Sequence, residues 1–449
     1  MTHSTTLSAE LTPKAMHGLA DRPLALPWHL AQMAVSFECV FALYMFAGTF
    51  KTNVDLYWVQ IDLTLLLLLT NIAQAIQIVT RRGYRVAANG LAIMTLGCLF
   101  LVYATVSMVW SPSVEYAQYK ILRLCTLNLW CLFSTTLIIS RERARFQRFL
   151  IVQFLLAVFL AWSTHSKYLV RGEMFDAARA GANYISIGNV LGLGSLVAFS
   201  YFLFFARNAL QRALAILALL ALLSVFLRLG ARGPLVATSI SLLMCLLLQI
   251  RIGRSRARPS RRWKSGQLYA VLALALTLGS VAGYMSYTGN VPRTIQRLKL
   301  LFDGGRGYTF GRSAGIRVEY YYSAYLIWFD HPAYGGGIGS YPIKLGKADA
   351  RTYPHNLILE IMAELGTIGL LLFLAMLISA FRNLGGWSTI QNDPLRVIAL
   401  MFVVSSMAGT MFSGDLVDNR SVFAAIGFLG LAPACRVSRA QNHQRLTNR

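Results

Sequence analysis

Long apolar runs separated by short polar connections recur along the chain from about residue 28 to residue 434. Stretches such as IDLTLLLLLTNIAQAIQIV and QRALAILALLALLSVFL have the length a helix needs to cross about 30 Å of hydrocarbon, and are too long for barrel strands. Backbone polar groups in lipid must be satisfied within each segment, so the spanning elements are helices. The pattern predicts twelve spans, over 28–48, 55–79, 86–109, 118–139, 147–163, 183–205, 212–228, 233–250, 266–287, 355–380, 395–412 and 421–434. The expected fold class is an all-α integral membrane protein.

Composition agrees with that pattern and removes the soluble alternative. At 449 residues a soluble chain would form roughly three domains. Here 56% of residues are hydrophobic and 13% charged, about half the usual charged fraction. The mean hydropathy is +0.53. A formal charge of +24 raises the question of nucleic acid, but the distribution of the basic residues answers it. Alternate connections are basic: Arg81, Arg82 and Arg85; Arg141, Arg143, Arg145 and Arg148; Arg207 and Arg212. The same side continues with seven Lys/Arg in 251–264, with Arg382 and Arg396, and with Arg436, Arg439, Arg445 and Arg449 in the tail. The positive-inside rule puts these, and both termini, in the cytoplasm. Most of the charge is therefore topology signal, and no nucleic-acid partner is expected.

The expected organisation is a cytoplasmic segment 1–27, nine spans within 28–287, one large external loop over 288–352, three spans within 353–434 and a cytoplasmic tail 435–449. Residues 1–27 lack an apolar core, so no cleavable signal peptide is expected and the first span acts as its own targeting signal. The six cysteines, Cys39, Cys98, Cys125, Cys131, Cys245 and Cys435, fall in or at the ends of predicted spans. They imply no disulfide framework.

Chemistry is concentrated on the external side. In the long loop, RTIQRLKLLF (293–302) and SAGIRVEYYYSAYLIWF (313–329) read as amphipathic helices. The second carries Tyr320, Tyr321, Tyr322, Tyr325 and Trp328, which suit a cap lying in the headgroup layer. The glycines of DHPAYGGGIGSYPIKLG permit tight turns. No strand precedes them and no Gly-Lys-Ser/Thr follows, so the stretch reads as a connector rather than a nucleotide loop. Pro354 and His355 suit the first turn of the next span. At a helix amino terminus the dipole disfavours the protonated imidazole, which leaves His355 open as a capping group or as a neutral base. The external histidines show no metal spacing, and neither a metal nor a cofactor is expected.

The same side carries an excess of arginine. Arg228 and Arg232 flank the junction of the seventh and eighth spans, and residues 288–352 hold nine Lys/Arg against four acidic residues, a net charge of +5. Arginines at the membrane junction are functional candidates by default. Phosphate is the ligand that best matches a forked guanidinium, although anchoring at the interface accounts for arginines as well. No external carboxylate pair is spaced to suggest a two-step retaining route.

The ordered set Arg232-Gly-Pro-Leu, Gly311-Arg312 to Arg317 with an aromatic helix, Asp330-His331-Pro332 to Gly339, and His355-Asn356-Leu357 with Glu364-Leu365-Gly366 and Gly369 resembles the O-antigen ligase and polymerase superfamily. The resemblance covers topology over nearly the whole chain and sequence mainly over 228–375. It implies a GT-C-like glycosyltransferase that takes a glycan from undecaprenyl diphosphate at the periplasmic face, with lipid A–core oligosaccharide as the acceptor of the ligases. It makes His355 the catalytic histidine and Arg232 and Arg317 the diphosphate ligands, with Arg312 as a weaker candidate. Val236 stands where ligases often have leucine, with the aliphatic character kept. Glu360 and Glu364 read as structural or orienting. The superfamily's polymerases and O-linked oligosaccharyltransferases share this logic. A secondary transporter is disfavoured, because no half-to-half repeat is visible and the polar residues cluster outside rather than at mid-membrane.

Overall fold

The computed structural model describes residues 32–53, 62–81, 84, 88–166, 184–252 and 308–432, with side chains from 316 onward in the last segment. The predicted span 266–287, the helix 293–302, the basic stretch 253–264, and the segments 1–27 and 435–449 lie outside the described residues. So does the side chain of Arg312.

Among the described residues every regular element is helical. In chain order they are α1 Phe37–Met45, α2 Ala47–Asn53, α3 Leu63–Val79, α4 Ala88–Val106, α5 Glu115–Ile139, α6 Arg143–Thr164, α7 Tyr184–Phe205, α8 Ala209–Leu229 and α9 Arg232–Ile252. Then follow α10 Tyr308–Asp330, α11 Tyr341–Lys344, α12 Leu357–Asn383, α13 Trp387–Gln391, α14 Pro394–Thr410 and α15 Arg420–Phe428. Among the described residues six helices are long and apolar enough to cross a membrane, namely α5, α6, α7, α8, α12 and the segment Gly90–Val109 that overlaps α4. Over the described residues the chain is all-α, with the helices of a multi-pass membrane protein.

Local chemistry fixes the helix ends. Asp62 caps α3 through Thr64 N at 2.8 Å, and Asn208 caps α8 through Gln211 N, each satisfying an orphan donor of a first turn. Gly230 closes α8 in the left-handed region at φ 80°, where a side chain would be strained, and α9 begins two residues later. The predicted first span is broken at Phe46 into α1 and α2, and α5 and α7 contain π-helical turns at Leu124–Asn128, Ser134–Ile139 and Tyr201–Phe205.

One end of the bundle gathers the basic connections. Arg143 makes two bonds of 2.6 Å to Asp393, and Arg145 and Arg148 both reach buried Glu38 at 3.0 Å. At the other end lie the turn between α8 and α9, the turn between α14 and α15, and the segment 331–356. The core between the ends is aliphatic and aromatic, with Phe41, Phe146, Phe149, Phe402 and Phe428 clustered across α1, α6, α14 and α15.

Candidate active site

The aromatic helix lies where the sequence suggests. It runs from Tyr308 to Asp330 as α10, five residues earlier than read from the pattern, and packs on α12. The glycine stretch after it differs from the expectation. It is no plain connector, because it docks against a break in α12. Gly366, inside α12, has φ 65° and ψ −165°, which interrupts the helical ladder. The freed carbonyls of Ala363 and Glu364 accept from Gly336 N and Gly337 N at 2.8 Å, while Thr367 N and Ile368 N donate to Pro332 and Ala333. Gly335, Gly337 and Gly339 all have positive φ, so the Asp330–Gly339 and Glu364–Gly366 motifs are two halves of one interlocked joint.

Beneath this joint is a buried ion cluster. Lys120 Nζ of α5 lies 2.6 Å from Glu360 and 2.7 Å from Glu364 of α12, all three side chains being fully enclosed. The second oxygen of Glu364 accepts from Gly339 N and that of Glu360 from Leu416 N, each at 2.9 Å. Glu360 and Glu364 thus tie α5, the glycine turn and the 411–419 turn to the start of α12. An enclosed charge survives only when paired and hydrogen-bonded in this way.

His355 stands just before that start. The helix begins at Leu357, and Asn356 is its cap, accepting from Ile358 N and Leu359 N at 3.1 Å. Pro354 and His355 therefore precede the helix rather than forming its first turn. His355 is the one non-glycine residue with positive φ among the described residues, at 60°. Such a conformation persists only where its surroundings impose it, and it concentrates at functional sites. Its ring is parallel to Tyr320 at 6.2 Å and tilted against Tyr353 at 4.4 Å. Its Nδ1 is enclosed without a hydrogen-bond partner among the described residues. Burial first, then the neighbouring Arg317 and Arg351, push its pKa down to about 4, against a smaller opposing pull from Asp415. The depressed pKa favours the neutral imidazole, and its causes are burial and two guanidiniums rather than the helix dipole.

Of the arginines singled out by sequence, Arg317 lies one turn before Tyr321 in α10 and acts on both His355 and Tyr321. The Tyr321 hydroxyl donates to Met411 O at 3.1 Å. Phe412, the next residue, abuts Gly233, so the α14–α15 turn lies between α10 and the Arg232 end of α9. Arg312 belongs to the backbone of α10. Sequence reasoning missed Arg351 as a site residue, together with the carboxylates Asp415 and Asp418, three residues apart. Arg351 Nε donates to Asp415 at 3.2 Å and its Nη2 to Asp418. Asp415 also accepts from the Tyr116 hydroxyl at 3.2 Å, and Asp418 from Arg123 at 3.3 Å. The signal was present as two acids in the short SGDLVDN connection, opposite an unusually basic loop.

A cavity of about 600 Å³ opens beside Arg351 and Tyr353, walled by the same ends of α2, α7, α9, α14 and α15 and lined largely by polar side chains. Among the described residues no group of three or more His, Cys, Asp or Glu side chains is arranged to hold a metal ion.

No curated protein matches the chain. Residues 216–374 match the family model described as O-antigen ligase, a segment that contains Arg232, Arg317, Arg351 and His355. Over that segment, 159 of the 449 residues, the chain is similar to the O-antigen ligase family.

Proposed function

We propose that this protein is a metal-independent, inverting O-antigen ligase of the bacterial inner membrane. It moves a glycan from undecaprenyl diphosphate to lipid A–core oligosaccharide and so completes lipopolysaccharide. In this reading the chain crosses the membrane twelve times with both termini in the cytoplasm, and the loop 288–352 and the His355 end of the bundle face the periplasm. The observation that carries it is a neutral imidazole flanked by Arg317 and Arg351 within the segment that matches the family.

The chemistry follows from those groups. The acceptor hydroxyl attacks the anomeric carbon, its proton passes to His355, the new glycosidic bond forms and the bond to the lipid diphosphate breaks with its electron pair. The anionic leaving group is held by the forked guanidiniums of Arg317 and Arg232, with Arg312 available on the same helix as Arg317. One displacement inverts the anomeric centre. An imidazole whose pKa is about 4 is a weak base, but a bound diphosphate offsets the arginine part of that depression and raises the pKa, while the larger contribution from burial remains. The donor thereby activates the base.

The test is reconstitution in lipid nanodiscs with an undecaprenyl-diphosphate glycan and one of three acceptors: lipid A–core, a second lipid-linked glycan, or an acceptor protein. Extension of lipid A–core is expected. Extension of the lipid-linked glycan instead would make the protein a polymerase, extension of the protein an oligosaccharyltransferase, and no transfer to any acceptor would overturn the enzyme reading. Topology is tested separately. A cysteine introduced at position 258 that reacts with an impermeant reagent from outside intact spheroplasts would overturn the orientation.

A further inference from the structure

We propose that the cavity beside Arg351 is the binding site for the acceptor's sugar rings, with Arg123, Arg351, Arg420 and Asp418 as its polar ligands. The inference rests on the glycosyl-transfer reading above and adds where the second substrate sits.

The lining is the first observation. Among helices otherwise packed with leucine and phenylalanine, a space of about 600 Å³ is bordered by three arginines and by Asn189, Ser406 and Asn419, among other polar residues. This volume lies within the range of small-ligand pockets, about 300–1,000 Å³. Polar groups turned towards a space inside a bundle are costly unless water or a polar ligand satisfies them.

The second observation is how the arginines are engaged. Arg123 and Arg351 share Asp418, and Arg351 is also held by Asp415. Arg420 lies over the Tyr44 ring, 5.7 Å from its centroid, and donates weakly to Tyr44 O. A diphosphate entering here would meet Asp418 with like charge. Vicinal sugar hydroxyls fit better, because each can donate to a carboxylate and accept from a guanidinium, which this alternation of Arg, Asp and Asn supplies. Arg317, by contrast, makes no ion pair among the described residues and suits the dianionic leaving group.

Position is the third. Tyr353 and Arg351 border the cavity, and the Tyr353 ring lies 4.4 Å from that of His355. An inverting displacement needs the attacking hydroxyl and the leaving diphosphate on opposite sides of the anomeric carbon, with the base beside the hydroxyl. Arg317 acts on His355 from α10 and Arg351 acts on it from the cavity wall, so donor and acceptor have separate approaches that meet at the imidazole.

The experiment measures binding to the full chain in nanodiscs, using core oligosaccharide freed of its lipid, the glycan of a second lipid-linked molecule, and the intact lipid-linked donor. The variants are Arg123→Gln, Arg420→Gln and the space-filling Ser406→Phe, each checked for an unchanged melting profile. Losing one charge-assisted contact is expected to weaken oligosaccharide binding about tenfold, and Ser406→Phe to abolish it, with donor affinity unchanged. Binding of the core oligosaccharide alone marks a ligase acceptor, and binding of the second glycan alone a polymerase acceptor; both support the site. Failure of both oligosaccharides to bind the unaltered protein, unchanged oligosaccharide affinity in all three variants, or loss of donor affinity rather than oligosaccharide affinity in them, overturns it. If the oligosaccharide binds and the variants weaken it while the unaltered protein transfers nothing, the site stands and the catalytic reading falls.

Discussion

The imidazole of His355 is parallel to the phenol of Tyr320, with 6.2 Å between centroids and 3° between planes. Tyr320 is itself fixed, since its carbonyl accepts from the Tyr341 hydroxyl at 2.8 Å and its hydroxyl from Lys347 Nζ at 2.6 Å. His355, which precedes α12, is thus bordered by Tyr320 of α10 on one side and by Tyr353 of its own segment at 4.4 Å on the other. His355→Ala is expected to insert and to bind the lipid-linked donor, yet to transfer about 10²–10⁴-fold more slowly. Near-normal turnover in that variant would remove His355 from the mechanism.

The pH dependence follows from the same group. Its folded pKa, about 4, lies below its ordinary value, so the neutral base dominates in the free protein at every pH above about 4. The kcat/KM profile for the donor should therefore show its acid limb near pH 4, with no inflection near 6.5. Donor charge raises the pKa, so the acid limb of kcat should lie at higher pH than that of kcat/KM. Arg351→Gln should move the free-protein limb upward. Stability has the matching sign. The unfolded chain takes up a proton as the pH falls through 6.5 and the folded one does not until about 4, so His355 contributes stability above 6.5 that is lost between these values.

Replacing Arg317 or Arg232 by Lys keeps the charge and removes the fork. A point charge cannot grip two phosphate oxygens at once, so both Lys variants should fold and lose at least tenfold in transfer rate, measured at saturating acceptor. Unaltered rates in both would show that neither guanidinium contacts the leaving group.

Much of the helical plan was legible because hydropathy is a local property, and eleven of the twelve predicted segments coincide with described helices. The break in α12 was not, because Gly366 sits inside a stretch whose mean hydropathy is that of a span and a single glycine there does not by itself mark a break. Only the docking of Pro332 and Ala333 onto the freed amides makes that conformation pay. In the candidate site, His355, Arg317 and Arg232 could be named from a resemblance. Arg351 could not, since its significance lies in contacts to Asp415 and Asp418, 64 and 67 residues away. Lys120 was readable as a charge in a predicted span, but periodicity says nothing about which carboxylates from another helix will enclose it.

That enclosure makes a stability prediction. Lys120→Met leaves Glu360 and Glu364 buried against each other without a counter-ion, which should cost about 3–5 kcal/mol and appear as a lowered melting temperature in detergent. Glu360→Gln and Glu364→Gln remove the repulsion while keeping oxygens that can accept from Leu416 N and Gly339 N. The triple variant should therefore melt above Lys120→Met alone. A triple variant less stable than the single one would mean that the carboxylates were not the source of the penalty.

The glycine joint separates backbone strain from packing. Gly337 has φ 91°, and a Cβ there would fall 2.5 Å from Ser111 Cα. Gly346 has φ 68°, but a Cβ there would meet nothing within 4 Å. Gly346→Ala pays only for the left-handed backbone, about 1–2 kcal/mol. Gly337→Ala pays that and an overpacking cost of about 1–3 kcal/mol, because Ser111 is itself held by its hydroxyl donating to Ile338 O at 2.7 Å. The expected order of melting temperatures is therefore unaltered protein, then Gly346→Ala, then Gly337→Ala. Gly337→Ala alone should also slow transfer, since shifting the joint moves Glu364 and with it the start of α12 beside His355. Equal melting temperatures for the two variants would show that the joint is looser than its contacts imply.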